Sequence, residues 1–252
     1  CYHAVTGALS VPLPAVLGYE GAGVVEEVGS GVTLVKPGDH VILSWVPSCG
    51  HCIYCAQGYS NLCLTSRRGG RGCLLDGTTR YKKNGVPIHH FAMVASFAEY
   101  SVIPQECAIP IDKEIPLDKA ALIGCSVTTG VCAVTNTAEV RPGSSVVVFG
   151  AGGIGLNVIQ GAVLAGAEKI IAVDLLESKL EFARQFGATH TINAKEVDPI
   201  KEIQSLTDGL GADYAFEAIG TRTTYEQAVR AIRNRGKAIW IGAPPLEPLS
   251  LD

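Results

Sequence analysis

The spacing of apolar and polar residues differs between the two halves of the chain. Beyond about residue 140, short apolar runs alternate with longer amphipathic stretches. The runs predict strands near 145–149, 169–174, 189–193, 213–218 and 237–242, with helices between them. In the predicted helix 177–186, Leu180 and Ala183 recur at helical spacing, and Gly187 follows as a terminating glycine. Repeated strand and helix of this kind predicts a doubly wound parallel sheet.

The first half has a different pattern, in which short β-rich stretches are separated by proline and glycine turns. One such turn is Lys36-Pro37-Gly38-Asp39. This pattern is typical of a small β-barrel, and we expect a domain boundary near Thr128. The sequence therefore predicts an α/β protein with two domains.

Composition and charge exclude several functional classes. The 252 residues are 47% hydrophobic and 17% charged, with a net charge of -4, as in soluble globular proteins with room for two cores. The chain lacks the surplus of basic residues that would favour nucleic acid as a partner. Residues 142–167 carry no charge, but a glycine turn divides them into strand and helix, so we predict no membrane span.

That glycine turn is a candidate dinucleotide site. It follows an apolar strand, opens a helix, and is followed 19 residues after its last glycine by Asp174, at the end of the next predicted strand. The glycines would let the backbone approach a pyrophosphate, and the carboxylate would bind the ribose hydroxyls and repel a 2′-phosphate. This context predicts NAD as the cofactor, bound by Gly150, Gly152, Gly153, Ile154, Gly155 and Asp174. The alternative for Asp174 is a simple helix cap.

Four closely spaced cysteines form a second motif, C-x2-C-x2-C-x7-C, made of Cys49, Cys52, Cys55 and Cys63. Gly50 and Gly58 allow tight turns within it. Four thiolates in a tetrahedron are a typical closed zinc site of structural type. Disulfides are the alternative, but closely set cysteines in a chain without secretory features favour metal.

Taken together, these motifs resemble the zinc-dependent medium-chain alcohol dehydrogenases, including the glutathione-dependent formaldehyde dehydrogenase class. The likeness is carried by GYEGAGVVEEVG (18–29), VKPGDHV (35–41), the cysteine motif, DGTTR (76–80), IHHF (88–91), LIGCSVTTG (122–130) and VVVFGAGGIG (146–155). The resemblance implies a partial GroES-like β-barrel catalytic domain over residues 1–128, with a structural zinc lobe at about 49–63. It implies a Rossmann domain over residues 129–252. Because the chain begins at Cys1 and Met93 is its only methionine, we interpret it as a fragment with an incomplete barrel and an incomplete C-terminus.

The same resemblance implies hydride transfer between a primary or aromatic alcohol and NAD, with a second zinc acting as Lewis acid. The motif places Cys125 and Glu20 at that zinc and His3 in a proton relay. Tyr19 stands where the family has a ligand histidine, and a phenol is a poor substitute for a neutral imidazole. Tyr19 could also be a packing residue or a proton donor. An ungapped match places the first ligand cysteine before residue 1, whereas a three-residue deletion would make Cys1 that ligand.

Further positions carry over from the resemblance. Trp45, Phe91 and Arg67 would line the substrate pocket, and Thr129 and Lys179 would contact the cofactor together with the backbone of Ile241 and Ala243. A core role is the alternative for the pocket aromatics and for Cys125, and a solvated surface role is the alternative for Arg67, Lys179 and His3. We expect a cytoplasmic homo-oligomer with a small-molecule alcohol or aldehyde substrate. The alternatives are a non-catalytic NAD- and zinc-binding homologue and a reductase without catalytic zinc.

Overall fold

A computed structural model describes residues 1–68 and 71–244, apart from the side chain of Arg67. The chain forms two compact units, Cys1–Cys125 and Ser126–Asp252.

The first unit contains short strands and helical turns. Its strands are β1 (Ala15–Val16), β2 (Ala22–Val24), β3 (His40–Leu43), β4 (Tyr81–Lys83), β5 (Val86–His90) and β6 (Ala108–Ile111). Its helices are α1 (Tyr2–Val5), α2 (Ile53–Ala56) and α3 (Leu117–Ala120), with 3₁₀ turns at Ser60–Leu62, Leu64–Arg67, Phe91–Met93 and Gln105–Cys107. The strands form two small sheets, of order β1-β5-β4 and β2-β3-β6.

Strand β3 is the centre of the first unit. It pairs antiparallel with both β2 and β6. Val41 and Leu43 lie in a small buried cluster with Val94, Cys107 and Ala108, which removes apolar surface from water. This antiparallel arrangement agrees with the short strands and turns that the sequence predicts.

The second unit alternates strands with helices. Its strands are β7 (Ser145–Phe149), β8 (Lys169–Asp174), β9 (His190–Asn193), β10 (Ala212–Glu217) and β11 (Ile232–Trp240). Its helices are α4 (Thr128–Cys132), α5 (Gly153–Leu164), α6 (Glu177–Gln185), α7 (Pro199–Leu206) and α8 (Arg222–Ala231), with a π-helical turn at Ala133–Ala138. Another π-helical turn, Ile123–Val127, includes residues of both units. All pairings in the sheet β11-β10-β7-β8-β9 are parallel.

Both faces of this sheet are buried. Along β7, Val146 and Val148 belong to one buried cluster, whereas Val147 and Phe149 belong to another. Successive side chains of a strand point to opposite faces, so the two clusters lie on the two sides of the sheet. A parallel sheet covered on both faces is the doubly wound architecture that the sequence predicts, and the fold class is confirmed.

One strand boundary differs from the prediction. Strand β11 begins at Ile232 rather than 237, and its register with β10 shifts between the pairs of Ala212 and Tyr214. Arg235 has φ +66°, a left-handed conformation that is uncommon outside glycine. The irregularity separates a short first pairing from the apolar strand that the hydrophobic pattern indicates.

One run of helical residues, Leu117–Ala138, is long and apolar enough to cross a membrane by length and composition alone. Core helices of soluble proteins meet the same criterion, so this is weak evidence for a span.

Candidate functional site

The four predicted zinc-lobe cysteines come together. Their sulfur atoms all lie within 4.8 Å of one another. Backbone N–H groups point at the sulfurs: Cys63 Sγ accepts from the N–H of Cys49 at 3.3 Å and of Thr65 at 3.4 Å, and Cys49 Sγ accepts from Cys52 at 3.4 Å. Gly50 has φ +76°, and this left-handed turn lets the chain double back between the first two cysteines.

Backbone hydrogen bonds favour the thiolate form that a metal needs at Cys49 and Cys52 by lowering the pKa of each thiol. The pKa of Cys55 is raised, because burial and the neighbouring Cys52 and Cys63 sulfurs outweigh its hydrogen bond from Ser48. The backbone N–H of His51 and then that of Cys52 lower the pKa of Cys49 to about 5. Thiolates are the zinc-binding form of cysteine, and such N–H···S bonds stabilise negative sulfur. The donor set and its spacing therefore fit a closed zinc site made by this lobe.

The glycine turn is packed as a dinucleotide-binding turn requires. A Cβ on Gly155 would lie 1.7 Å from the carbonyl oxygen of Gly150, so only glycine allows this approach. In contrast, added Cβ atoms on Gly152 and Gly153 would meet nothing within 4 Å. Helix α5 begins at Gly153, and its first N–H groups are open to an anion.

Asp174 connects this turn to the neighbouring strand. It ends β8 and is 8% exposed. Its Oδ2 accepts the Ala151 N–H at 2.9 Å, and its Oδ1 accepts the N–H groups of Leu175 and Leu176 at 2.7 and 3.1 Å. Lys179 Nζ lies 3.8 Å from Oδ2. The carboxylate therefore fixes the glycine turn at the carboxyl ends of the strands, where nucleotides bind in such sheets, and the site fits NAD.

A second cluster in the first unit joins residues that are far apart in sequence. Residues 17–20 lie against 96–97, where Ser96 N donates to Gly18 O at 3.1 Å and Ser96 Oγ to Glu20 O at 3.0 Å. Burial raises the pKa of the Tyr19 phenol, and charge interactions with Cys125 and then Glu20 raise it further. The Tyr19 phenol therefore lies within the range of charge interaction with Cys125 and Glu20, and these three residues are called the Tyr19 cluster. The metal roles that the resemblance implies for Cys125 and Glu20 stay predictions.

This Tyr19 cluster fits a catalytic zinc only in part. Cys125 and Glu20 are two ligand types that zinc accepts, whereas catalytic zinc sites use three protein ligands. Across residues 1–68 and 71–244, the cysteine lobe is the one place where three or more His, Cys, Asp or Glu ligand atoms lie within 4.8 Å of one another. Tyr19 occupies the position at which the resemblance implies a ligand histidine.

The other predicted pocket residues are spread over the first unit. Phe91 is buried, and its ring centroid lies 5.8 Å from that of Tyr19. Trp45 is 45% exposed, and His3 is exposed within α1. The side chain of Arg67 lies outside the described residues. The pocket and relay roles of these residues stay predictions.

The predicted cofactor residues lie in the second unit. Thr129 is half-buried in α4, and Ile154 packs against the core cluster on one face of the sheet. Ile241 N donates to Glu217 O at 2.8 Å. Sequence reasoning missed Glu217, which is fully buried at the end of β10, because no motif marks it.

Comparison with known proteins agrees with this arrangement. Residues 1–113 match the alcohol dehydrogenase GroES-like domain, and residues 153–252 match the zinc-binding dehydrogenase family. The S-(hydroxymethyl)glutathione dehydrogenase of Escherichia coli O1:K1 / APEC is 47% identical over 232 residues, which are 91% of this chain and 63% of that protein. The chain thus spans less than two thirds of the length of this relative.

Solved structures give the same family. An alcohol dehydrogenase zinc-binding domain protein from Burkholderia ambifaria is 43% identical with a TM-score of 0.89, over 96% of this chain and 66% of that one. Benzyl alcohol dehydrogenase from Acinetobacter calcoaceticus is 36% identical with a TM-score of 0.88, over 100% of this chain and 69% of that one. The chain belongs to the zinc-dependent medium-chain alcohol dehydrogenase family, as its motifs indicate.

Proposed function

We propose that the protein containing this chain is an NAD-dependent alcohol dehydrogenase that converts a primary or aromatic alcohol to the aldehyde, or a secondary alcohol to the ketone. The observation that carries this proposal is the bond from Ala151 N to Asp174 Oδ2, which fixes a glycine turn beside an acidic strand end. An acid at this position favours NAD, because it would repel the 2′-phosphate of NADP.

The two units have different tasks in this proposal, the catalytic domain over residues 1–128 and the NAD-binding domain over 129–252. The glycine turn and α5 would hold the pyrophosphate, Asp174 and Lys179 would bind the ribose, and Thr129 would support the nicotinamide. Zinc bound at Cys125 and Glu20 would supply Lewis acidity toward the substrate oxygen. A bound NAD⁺ would supply the acceptor for the hydride of the carbon bearing that oxygen, and His3 is the predicted relay for the hydroxyl proton.

The substrate class rests on the relatives. Two of them are an S-(hydroxymethyl)glutathione dehydrogenase and a benzyl alcohol dehydrogenase. Phe91 beside Tyr19 gives the cluster an aromatic wall, which favours an aromatic or apolar primary alcohol. We further propose a cytoplasmic homo-oligomer, since the family's enzymes commonly associate and nine cysteines suit a reducing compartment.

Reduction of NAD⁺ tests the function directly. Formation of NADH is followed by absorbance with benzyl alcohol, with ethanol, and with formaldehyde plus glutathione. We expect turnover with NAD⁺, faster with benzyl alcohol than with the glutathione adduct, and little with NADP⁺. Faster turnover of the adduct would move the substrate assignment to the glutathione class, and no turnover with any of the three would contradict the proposal.

A second candidate function is a reductase without catalytic zinc. The observation that favours it is Tyr19, a hydroxyl-bearing side chain where the family has a ligand histidine. Tyr19→Phe separates the two functions, because a proton donor contributes about 100-fold or more to rate. If the donor is Tyr19, turnover falls by that factor, whereas a zinc-dependent enzyme loses only packing and changes a few-fold. A non-catalytic homologue would bind NADH without turnover.

A further inference from the structure

Glu217 is a fully buried carboxylate that the proposed chemistry does not use. Its Oε1 accepts hydrogen bonds from the N–H groups of Ile219 (2.9 Å) and Gly220 (2.8 Å) and from the Thr224 hydroxyl (2.6 Å). Among the described residues, Oε2 has no hydrogen-bond partner. A buried carboxylate is costly unless it is well bonded, so this placement needs a reason.

The backbone of Glu217 holds a second loop. Its carbonyl oxygen accepts from the N–H of Ile241 at 2.8 Å and of Gly242 at 3.0 Å. One residue therefore ties the loop after β10 to the loop after β11, through its side chain and its backbone.

These two loops interlock so tightly that only glycine fits at their contact. An added Cβ on Gly220 would lie 2.3 Å from Ala243 O. An added Cβ on Gly242 would lie 2.2 Å from Gly220 N and 2.6 Å from Glu217 Oε2. The Tyr225 hydroxyl also donates to Gly242 O at 2.6 Å. The pair of loops is thus one rigid unit built around Glu217.

This unit lies at the point where the strand order of the sheet reverses. Strands β7 and β10 are neighbours there, and Ala218 N donates to Phe149 O at 2.9 Å. A Cβ on Gly150 would lie 2.6 Å from Ile219 Cγ1, so Ile219 lies against the first glycine of the phosphate turn. Ligands of open α/β sheets bind in this crevice, and the β10–β11 side belongs to the second mononucleotide half.

We propose that Glu217 is a positioning residue for the nicotinamide half of the cofactor. It acts through the loops at 218–220 and 241–243, which it locks into one shape beside the phosphate turn. This inference rests on the proposed NAD-dependent function and deepens it. It separates the dinucleotide site into an adenosine half ordered by Asp174 and a nicotinamide half ordered by Glu217.

The test compares a whole dinucleotide with one half of it. In the purified protein, NADH affinity is measured by fluorescence and AMP affinity by calorimetry, for wild type, Glu217→Gln, Thr224→Val and Thr224→Ser. Glu217→Gln weakens acceptance of three hydrogen bonds, so we expect the Kd for NADH to rise at least about tenfold. The Kd for AMP, which reaches only the Asp174 half, should change less than about twofold.

The threonine variants test the same proposal without changing Glu217 itself, in case Glu217→Gln misfolds. Thr224→Val removes one donor to Oε1 and should raise the Kd for NADH about threefold to tenfold, whereas Thr224→Ser keeps the hydroxyl and the affinity. Equal loss of NADH and AMP affinity, or a lower melting temperature with NADH affinity unchanged, would show a merely structural role and overturn the inference. Wild type that binds AMP and not NADH would overturn the proposed function as well.

Discussion

The cysteine lobe and the Tyr19 cluster are two proposed metal positions in the same unit, and they differ in how they are assembled. The lobe takes all of its ligands from one short stretch, 49–63, and brings four sulfurs within 4.8 Å. The Tyr19 cluster draws on residues from two ends of the unit, 19–20 and 125, and would offer the two predicted zinc ligands Glu20 and Cys125 beside a phenol. Because affinity depends on the number and type of ligands, we expect the lobe to hold zinc firmly and the Tyr19 cluster to hold it weakly.

Loss of a lobe ligand should have the largest effect. Cys63 is fully buried and accepts two backbone N–H bonds. In Cys63→Ala we expect the loss of one zinc per chain. We also expect the free energy of unfolding to fall by more than about 3 kcal/mol, because the free energy of zinc binding stabilises the folded state. Zinc content and denaturant unfolding measure this. Cys73→Ala changes a cysteine outside the lobe, so it is the matched control and should keep the metal. Equal zinc content in both variants would contradict the assignment of the lobe as a zinc site.

Removal of the weakly held metal should stop turnover and leave the cofactor site intact. After mild chelation we expect turnover to fall by more than about 100-fold, because the Lewis acid is lost. The Kd for NADH should change less than about twofold, since Gly150, Gly155 and Asp174 belong to the other unit. Fluorescence titration before and after chelation checks this. Loss of NADH binding together with the metal would contradict the claim that the cofactor site is independent of the metal site.

Replacement of Cys125 tests the Tyr19 cluster itself. The backbone before it is fixed tightly, because a Cβ on Gly124 would lie 2.3 Å from Leu43 O. In Cys125→Ala we expect turnover to fall about 100-fold with the lobe zinc retained. Cys132→Ala, a half-buried cysteine without an assigned role, serves as control. If both variants are equally active, Cys125 is no ligand.

The parts of the fold that were predicted correctly depend on local sequence. The geometry of four closely spaced cysteines, or of a glycine turn between a strand and a helix, is set mainly by neighbouring residues in the chain. Both were therefore identified from the sequence alone. The repeated strand and helix also predict the parallel sheet, since each strand is buried on both faces.

The parts that could not be predicted depend on contacts between distant residues. Glu217 binds loops on two sides, and no spacing in the sequence shows that its carboxylate is buried. The early start of β11 follows from a register shift that the apolar pattern does not contain. The assignment of Tyr19, Glu20 and Cys125 came from resemblance rather than from spacing, and their roles at a metal stay proposals.

The most direct test of the difference between the two metal positions is the zinc content per chain, before and after dialysis against a chelator, for wild type and Tyr19→His. An imidazole at residue 19 would supply the third ligand beside Cys125 and Glu20. We predict that dialysed wild type keeps one zinc, in the lobe, whereas dialysed Tyr19→His keeps two. Wild type that keeps two zinc ions as firmly as Tyr19→His, or that keeps none, would contradict the account.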